Sequence, residues 1–186
     1  MNRNHQNILV IHPADPSTDF LSVIYKDISA MVIRQPTPKS RLKVLMADAD
    51  KIIMLGHGTE TGMGFVKYSN GIPMNITPII DSNMVYLLRE KKENIFIWCN
   101  ADKFVKKYEL EGFSTGMFIS ELDEASMFSV KATKDEIYES NNRFATVVKD
   151  YIHKGTKELK NIVREEYVLD SDVARYNNNR IYNFKK

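Results

Sequence analysis

The chain has 186 residues, 43% of them hydrophobic, which suits one folded domain with a substantial core. Its 26 basic and 24 acidic residues nearly balance, so charge gives no argument for nucleic acid or membrane partners. The apolar runs are only strand length and no signal peptide is recognised, so neither a membrane span nor secretion is expected. One cysteine cannot form an internal disulfide, and a cytoplasmic, reducing compartment is expected.

Short apolar runs predict the strands of a buried sheet. They cover residues 7–11, 30–33, 51–55 and 95–98, and a fifth strand is predicted at 116–120. Between the first two runs, apolar residues from Phe20 to Ile28 recur at helical spacing, and Ser17 or Thr18 is the predicted N-cap. Strands therefore alternate with helices from the start of the chain.

The middle of the chain predicts a hairpin followed by a helix. Residues 65–68 and 72–76 flank Ser69-Asn70-Gly71, and Asn-Gly is a favoured two-residue hairpin turn. Thr77-Pro78 is typical of an N-cap followed by proline at the first helical position. A helix is therefore predicted from there to the charged residues 89–93.

The last third of the chain is predicted to be mainly helical. Residues 133–151 and 156–165 have helical spacing, and the tail at 173–186 is expected to pack or to form a last strand. Alternating strands and helices favour an α/β three-layer sandwich with a mostly parallel central sheet. We expect residues 1–186 to form one such domain, with 133–186 mainly helical and ending in a tail.

Two reactive residues stand directly after two of the predicted strands. Residues 52–58 are Ile-Ile-Met-Leu-Gly-His-Gly, and residues 95–100 are Ile-Phe-Ile-Trp-Cys-Asn. Ligands gather at the carboxyl ends of parallel strands, so His57 and Cys99 are expected at the same edge of the sheet. An imidazole beside a thiol is the smallest set of groups that provides a cysteine nucleophile and its base.

These strand ends resemble those of the caspase-like (clan CD) cysteine peptidases, which include caspases, gingipains and bacterial CHAT domains. His57 and Cys99 are 42 residues apart, near the separation of about 50 in caspases. Cys99-Asn100-Ala101 is also similar to the Cys-Asn-Thr of CHAT domains. The resemblance extends over residues 50–130 and implies a caspase-like fold and a cysteine endopeptidase acting on a protein or peptide.

In that interpretation Cys99 is the nucleophile, and His57 is the base and later the acid. The N–H groups of Gly58 and Cys99 would bind the oxyanion, as the family implies. A neighbouring imidazolium and the start of a helix at Ala101 would both lower the pKa of the thiol. Trp98 stands where most of these peptidases have a small residue, which leaves a catalytically inactive relative as an alternative.

Acidic residues near the same edge are the candidate substrate-binding residues. Asp15 follows the first strand and either binds a basic substrate side chain or caps a turn. Glu121 and Asp123 follow the fifth predicted strand, a region that borders the S1 pocket in caspase-like enzymes. They either select Lys or Arg at the cleavage site or form the acidic first turn of a helix.

A doubly wound nucleotide- or ligand-binding regulatory protein is the remaining alternative, because glycines recur from Gly56 to Gly64 after a strand. No Lys-Ser/Thr pair follows them. The four histidines have no paired-ligand spacing, so neither a metal site nor a cofactor is predicted. The expected partner is a protein or peptide substrate, and a chain of this size acts alone or within an oligomer or larger assembly.

Overall fold

Nine strands and seven α-helices form in residues 6–69 and 72–185, the part of the chain that the computed structural model describes. The strands are β1 (Ile8–Ile11), β2 (Met31–Ile33), β3 (Lys51–Leu55), β4 (Gly58–Thr59), β5 (Gly62–Ser69), β6 (Ile72–Ile80), β7 (Asn94–Ile97), β8 (Gly112–Thr115) and β9 (Ile181–Phe184). The helices are α1 (Lys39–Asp48), α2 (Val85–Arg89), α3 (Ala101–Lys107), α4 (Leu122–Met127), α5 (Lys134–Tyr151), α6 (Thr156–Glu166) and α7 (Asp172–Asn178). Short 3₁₀ helices span Pro16–Tyr25 and Ser82–Met84.

A six-stranded sheet runs through the centre of the described residues in the order β2-β1-β3-β7-β8-β9. Every neighbouring pair is parallel except β8 and β9. β2 pairs with one side of β1, and the next strand of this sheet, β3, pairs with the other side. The direction of growth therefore changes between β1 and β3, where open α/β sheets commonly form a ligand crevice at the carboxyl ends of the strands.

Both faces of this sheet are covered by helices. Leu9 and Ile11 pack on one face with side chains of α1, α2 and α3, whereas Val10 packs on the other with α5, α6 and the Pro16–Tyr25 helix. Burial on both faces explains why β1, β3 and β7 are continuous apolar runs. The prediction of an α/β fold with a mostly parallel central sheet is confirmed, and the helices on both faces are consistent with three layers.

A second, antiparallel sheet of the described residues contains β4, β5 and β6 in that order. The predicted hairpin is present and longer than expected, since its pairing extends to Met63 opposite Ile80. The predicted turn residues Asn70 and Gly71 lie outside the described residues.

The predicted helix start at Thr77-Pro78 is wrong. Both residues lie in β6, where Thr77 pairs with Phe65. Proline, which lacks a backbone N–H, is tolerated there because β6 is the outer strand of its sheet, and the N–H groups on its free edge have no strand to bond to. The chain turns helical only after Asp81, whose carboxylate accepts from the Asn83 N–H at 2.9 Å.

Two further predictions of local structure need correction. The fifth predicted strand, at 116–120, lies earlier, at β8, where Ser114 and Thr115 are polar and yet fully buried. The N-cap of the first helix is Asp15 rather than Ser17 or Thr18, because its carboxylate accepts from the Ser17 N–H at 3.0 Å.

The C-terminal third is mainly helical, and its end joins the sheet. Thr133 caps α5 in a reciprocal box with Glu136. The tail contains α7, which the sequence did not predict, and β9, which pairs antiparallel with β8. No helix in the described part of the chain has the length and apolar character needed to cross a bilayer.

Candidate active site

His57 and Cys99 occupy equivalent positions after neighbouring strands. β3 and β7 pair in parallel with Leu55 opposite Ile97, and each candidate residue stands two positions beyond that pair. The Gly56 N–H extends the ladder by donating to the Ile97 carbonyl at 3.0 Å. As a result, His57 and Cys99 line the same cavity at the carboxyl edge of the sheet.

The segments that carry these residues adopt the conformations that their sequences allow. Gly56 has φ +136°, a value that favours glycine, and lets the chain turn immediately before His57. Cys99 follows β7 in a tight turn, in which the Ala101 N–H donates to the Trp98 carbonyl at 3.2 Å. Thr115, at the end of β8, also donates to that carbonyl, at 3.0 Å. The turn of Cys99 is therefore bonded to the next strand.

The Cys99 side chain is half-buried, and its thiol acts as a hydrogen-bond donor in this conformation. It donates to the Phe118 carbonyl, with 3.5 Å between Sγ and O. Burial raises the pKa of Cys99 to about 12, the negative charge of Glu124 adds to the rise, and the bond to Phe118 opposes it. The structure thus brings His57 and Cys99 to one cavity, but the thiol hydrogen is directed to Phe118.

Residues 116–121, here called the 116–121 loop, cover the Cys99 thiol and are held by buried amides. Asn177 of α7 accepts from the Ile119 N–H and donates to the Ile119 carbonyl, both at 2.8 Å. Asn141 of α5 donates to the Ser120 carbonyl at 3.0 Å. Sequence reasoning missed these roles, because the asparagines are far along the chain from the loop.

Trp98 and Gly58 are complementary in size. A Cβ added to Gly58 would overlap the Trp98 indole and the Gly62 carbonyl oxygen, so the small residue after His57 makes room for the large residue before Cys99 and for the backbone of β5. The Trp98 Nε1–H donates to the Thr59 carbonyl at 3.0 Å, and the ring packs edge-on against Phe104. Trp98 therefore connects the segment after β3 to the segment after β7.

The predicted oxyanion donors are the N–H groups of Gly58 and Cys99. No acceptor for the Cys99 N–H is found among the described residues. Gly58 lies in β4, opposite Met63 of β5. Cys99 thus has a free donor directly beside its sulfur.

Asp15 lies directly against His57. Its Oδ1 is 3.4 Å from His57 Nε2, and its side chain is only 6% exposed. The hydroxyl of Ser17 lies between them: it donates to Asp15 Oδ1 at 2.7 Å and is 2.7 Å from His57 Nε2. Asp15 is therefore part of the His57 environment as well as the N-cap that the alternative interpretation proposed.

Glu121 and Asp123 have different surroundings. Loss of hydration raises the pKa of Glu121, and the negative charge of Glu124 adds to the rise, whereas His57 opposes it. Glu121 is exposed and does not line the cavity, although its charge and that of His57 interact. Asp123 is exposed and does not line the cavity.

A buried histidine behind the site was missed at the level of sequence. His12 follows β1, and its ring nitrogens contact the Tyr25 hydroxyl at 3.0 Å and the Thr18 carbonyl at 3.2 Å. Burial lowers the pKa of His12 to about 4, and the positive charge of Arg34 lowers it further. The ring is therefore neutral near pH 7 and bonds both ends of the Pro16–Tyr25 helix.

No protein-family model matches the chain, and a search of curated proteins finds no match either. Within the described residues, no group of three or more His, Cys, Asp or Glu side chains is placed to hold a metal ion. The functional interpretation consequently depends on the geometry of the site.

Proposed function

We propose that the protein is a caspase-like cysteine endopeptidase with His57 and Cys99 as its dyad. The observation that carries this proposal is the parallel pairing of β3 with β7, which sets both residues at the same step beyond paired strands and in one cavity. A cytoplasmic setting fits the proposal, because the thiol must remain reduced to react.

In the proposed reaction His57 takes the thiol proton, and the Cys99 thiolate attacks the peptide carbonyl carbon. The carbonyl oxygen becomes an oxyanion, which in this proposal the Cys99 N–H and the Gly58 N–H bind. The C–N bond then breaks as His57 protonates the leaving amine. Water, activated by His57, hydrolyses the thioester and regenerates the thiol.

The proposal requires a conformational step. The thiol hydrogen is bonded to Phe118, so the Cys99 side chain must rotate away from the 116–121 loop before His57 can accept the proton. In this view the structure is that of a resting enzyme, and the raised pKa of Cys99 belongs to that state. A substrate that displaces the 116–121 loop would allow the rotation.

A catalytically inactive relative is the second candidate, and the protonated thiol is the observation that favours it. Without the rotation, Cys99 remains a half-buried thiol whose pKa is raised to about 12 and whose hydrogen is bonded to Phe118. Nucleotide binding gains no support, because Gly62 and Gly64 lie in β5, where added side chains would overlap backbone oxygens of β6. No helix follows these glycines directly to receive a phosphate.

The rate of covalent labelling distinguishes the two candidates. Cys99 is the only cysteine in the chain, so any thiol modification reports on it alone. A panel of peptidyl chloromethyl ketones, with Lys, Arg, Asp or Leu next to the warhead, is compared with iodoacetamide near neutral pH by intact mass. An enzyme should react faster with at least one peptidyl probe than with iodoacetamide, because peptide binding positions the warhead.

The matched variants are His57→Ala and His153→Ala, the latter removing an exposed imidazole. Loss of the base should slow peptidyl labelling about a hundredfold or more, the range of general base catalysis, while His153→Ala stays at the wild-type rate. Equal rates in wild type and His57→Ala would reject the dyad and favour the inactive relative.

A further inference from the structure

A hydrogen-bonded chain of three side chains ends on one nitrogen of the His57 ring. The Ser17 hydroxyl is 2.7 Å from Asp15 Oδ1 and 2.7 Å from His57 Nε2. Asp15 and Ser17, here called the Asp15–Ser17 pair, follow β1, whereas His57 follows β3. The contact therefore bridges the point at which the strand order of the sheet changes direction.

The hydrogens in this chain can be assigned from the chemistry of the groups. An ionised carboxylate only accepts, and a serine hydroxyl has one hydrogen to donate. Ser17 gives that hydrogen to Asp15, so the hydrogen between Ser17 and His57 must belong to Nε2. In the neutral ring Nδ1 is then the basic nitrogen, and it has no hydrogen-bond partner among the described residues.

We infer that Ser17 and Asp15 are positioning residues for His57. They hold the hydrogen on Nε2, leave Nδ1 to take the Cys99 proton, and place a negative charge beside the imidazolium that then forms. The inference rests on the proposed function, since it names the nitrogen and the partners through which His57 would act as a base.

Helix capping alone does not account for this arrangement. An N-cap needs the Asp15 carboxylate to accept from the Ser17 N–H, which it does at 3.0 Å. It does not need the Ser17 hydroxyl to contact an imidazole 40 residues away. The Asp15 side chain is 6% exposed, so its charge acts on His57 through little solvent.

The Pro16–Tyr25 helix that presents Ser17 is itself held by a buried group. The His12 ring contacts the Thr18 carbonyl and the Tyr25 hydroxyl, one near each end of the helix. The Tyr25 hydroxyl also accepts from Arg34 at 3.0 Å. These contacts fix the helix relative to β1 and so fix where the Ser17 hydroxyl meets His57.

Four variants test the inference. Ser17→Ala removes the hydroxyl and Ser17→Thr keeps it. Asp15→Asn keeps a good N-cap but removes the negative charge. Ser126→Ala, at a hydroxyl on α4 that bonds the Leu122 carbonyl, is the matched control. Circular dichroism and thermal unfolding of each variant establish that it is folded.

The first measurement uses ¹⁵N-histidine NMR, with His57→Ala to assign the ring signals. We expect the wild-type ring to carry its hydrogen on Nε2, with slow exchange of that hydrogen with water. The exchange should be faster in Ser17→Ala and stay slow in Ser17→Thr. A wild-type hydrogen on Nδ1, or exchange that is unaffected in Ser17→Ala, would overturn the inference.

The second measurement is the saturation kinetics of labelling by the best peptidyl probe. Ser17→Ala and Asp15→Asn should lower the limiting rate by about tenfold to a hundredfold, the range seen when a partner that orients a functional histidine is removed. The half-saturating probe concentration should stay unchanged, and Ser17→Thr and Ser126→Ala should match wild type. A limiting rate unchanged in Ser17→Ala also overturns the inference.

The two measurements separate failure of this inference from failure of the proposed function. If wild type and His57→Ala label equally, the dyad is rejected, and with it the role of the Asp15–Ser17 pair in catalysis. If the dyad labels as expected while Ser17→Ala changes neither readout, only the positioning role is rejected.

Discussion

Titration of His12 should control the stability of the protein in weak acid. The buried ring contacts Tyr25 and Thr18, and burial followed by the charge of Arg34 lowers the pKa of His12 from 6.5 to about 4. In the unfolded chain His12 takes up a proton below about pH 6.5, whereas in the folded protein it does so only near pH 4. The stability that the neutral ring provides is therefore complete above pH 6.5 and is lost as the pH falls towards 4.

The magnitude follows from the gap between the two pKa values. About 2.5 pH units, at about 1.36 kcal/mol per unit, give about 3 kcal/mol of unfolding free energy. Small domains are stable by only about 5–15 kcal/mol, so this one side chain accounts for a substantial part of the total. Loss of the contacts at Thr18 and Tyr25 would also loosen the helix that presents Ser17.

The assay compares wild type with His12→Gln, which cannot titrate but keeps an amide in place of the ring. Urea unfolding at intervals from about pH 8 to pH 4 gives the free energy of unfolding of each protein, and the difference between them removes the contribution of other titrating groups. The advantage of wild type over the variant should shrink by about 3 kcal/mol across this range. His153→Gln controls for removal of an exposed imidazole.

A difference that stays constant from neutral pH to pH 4 would refute the reasoning. An NMR titration of the wild-type ring would also refute it if His12 took up its proton near pH 6.5 rather than near pH 4. That titration remains informative even if His12→Gln does not fold.

Three further predictions concern the packing around the site. Gly58→Ala should lower the free energy of unfolding by about 1–3 kcal/mol through overlap with the Trp98 indole and the Gly62 carbonyl, and adding Trp98→Leu should recover the part due to the indole in urea unfolding; the absence of recovery would show that the indole is not the main obstacle. Asn177→Ala removes both bonds to the 116–121 loop, so it should cost about 1–3 kcal/mol and speed alkylation of Cys99 by iodoacetamide, with the exposed Asn161→Ala as control. If stability falls while alkylation is unchanged, the loop does not restrain the thiol. In wild type the alkylation rate should keep rising towards pH 12, because loss of hydration raises the pKa of Cys99 to about 12; a plateau near pH 9 would contradict the raised pKa.

The sequence predicted β1, β2, β3 and β7 and misplaced β8, whose buried positions include polar residues. β1, β3 and β7 are continuous apolar runs because helices cover both of their faces. In β8 the residues Ser114 and Thr115 are buried, and the Thr115 hydroxyl donates a hydrogen bond to the Trp98 carbonyl. Such a strand has no local hydrophobic signal, since its partner lies in another strand.

Strand ends also predicted where the candidate residues lie, but not what each side chain contacts. The equivalence of His57 and Cys99 follows from the register of two parallel strands. The contact of Ser17 with His57 spans 40 residues, and that of Asn177 with Ile119 spans 58. Contacts of this range depend on the assembled fold, and no periodicity or spacing in a single sequence encodes them.

The fit of Trp98 against Gly58 limits the order in which this site can change in evolution. A side chain at position 58 would overlap both the Trp98 indole and the Gly62 carbonyl oxygen, whereas a smaller residue at 98 costs packing but creates no overlap. A lineage that has acquired tryptophan at 98 is therefore committed to glycine at 58, whereas loss of the tryptophan alone does not release position 58 until the backbone at Gly62 also shifts.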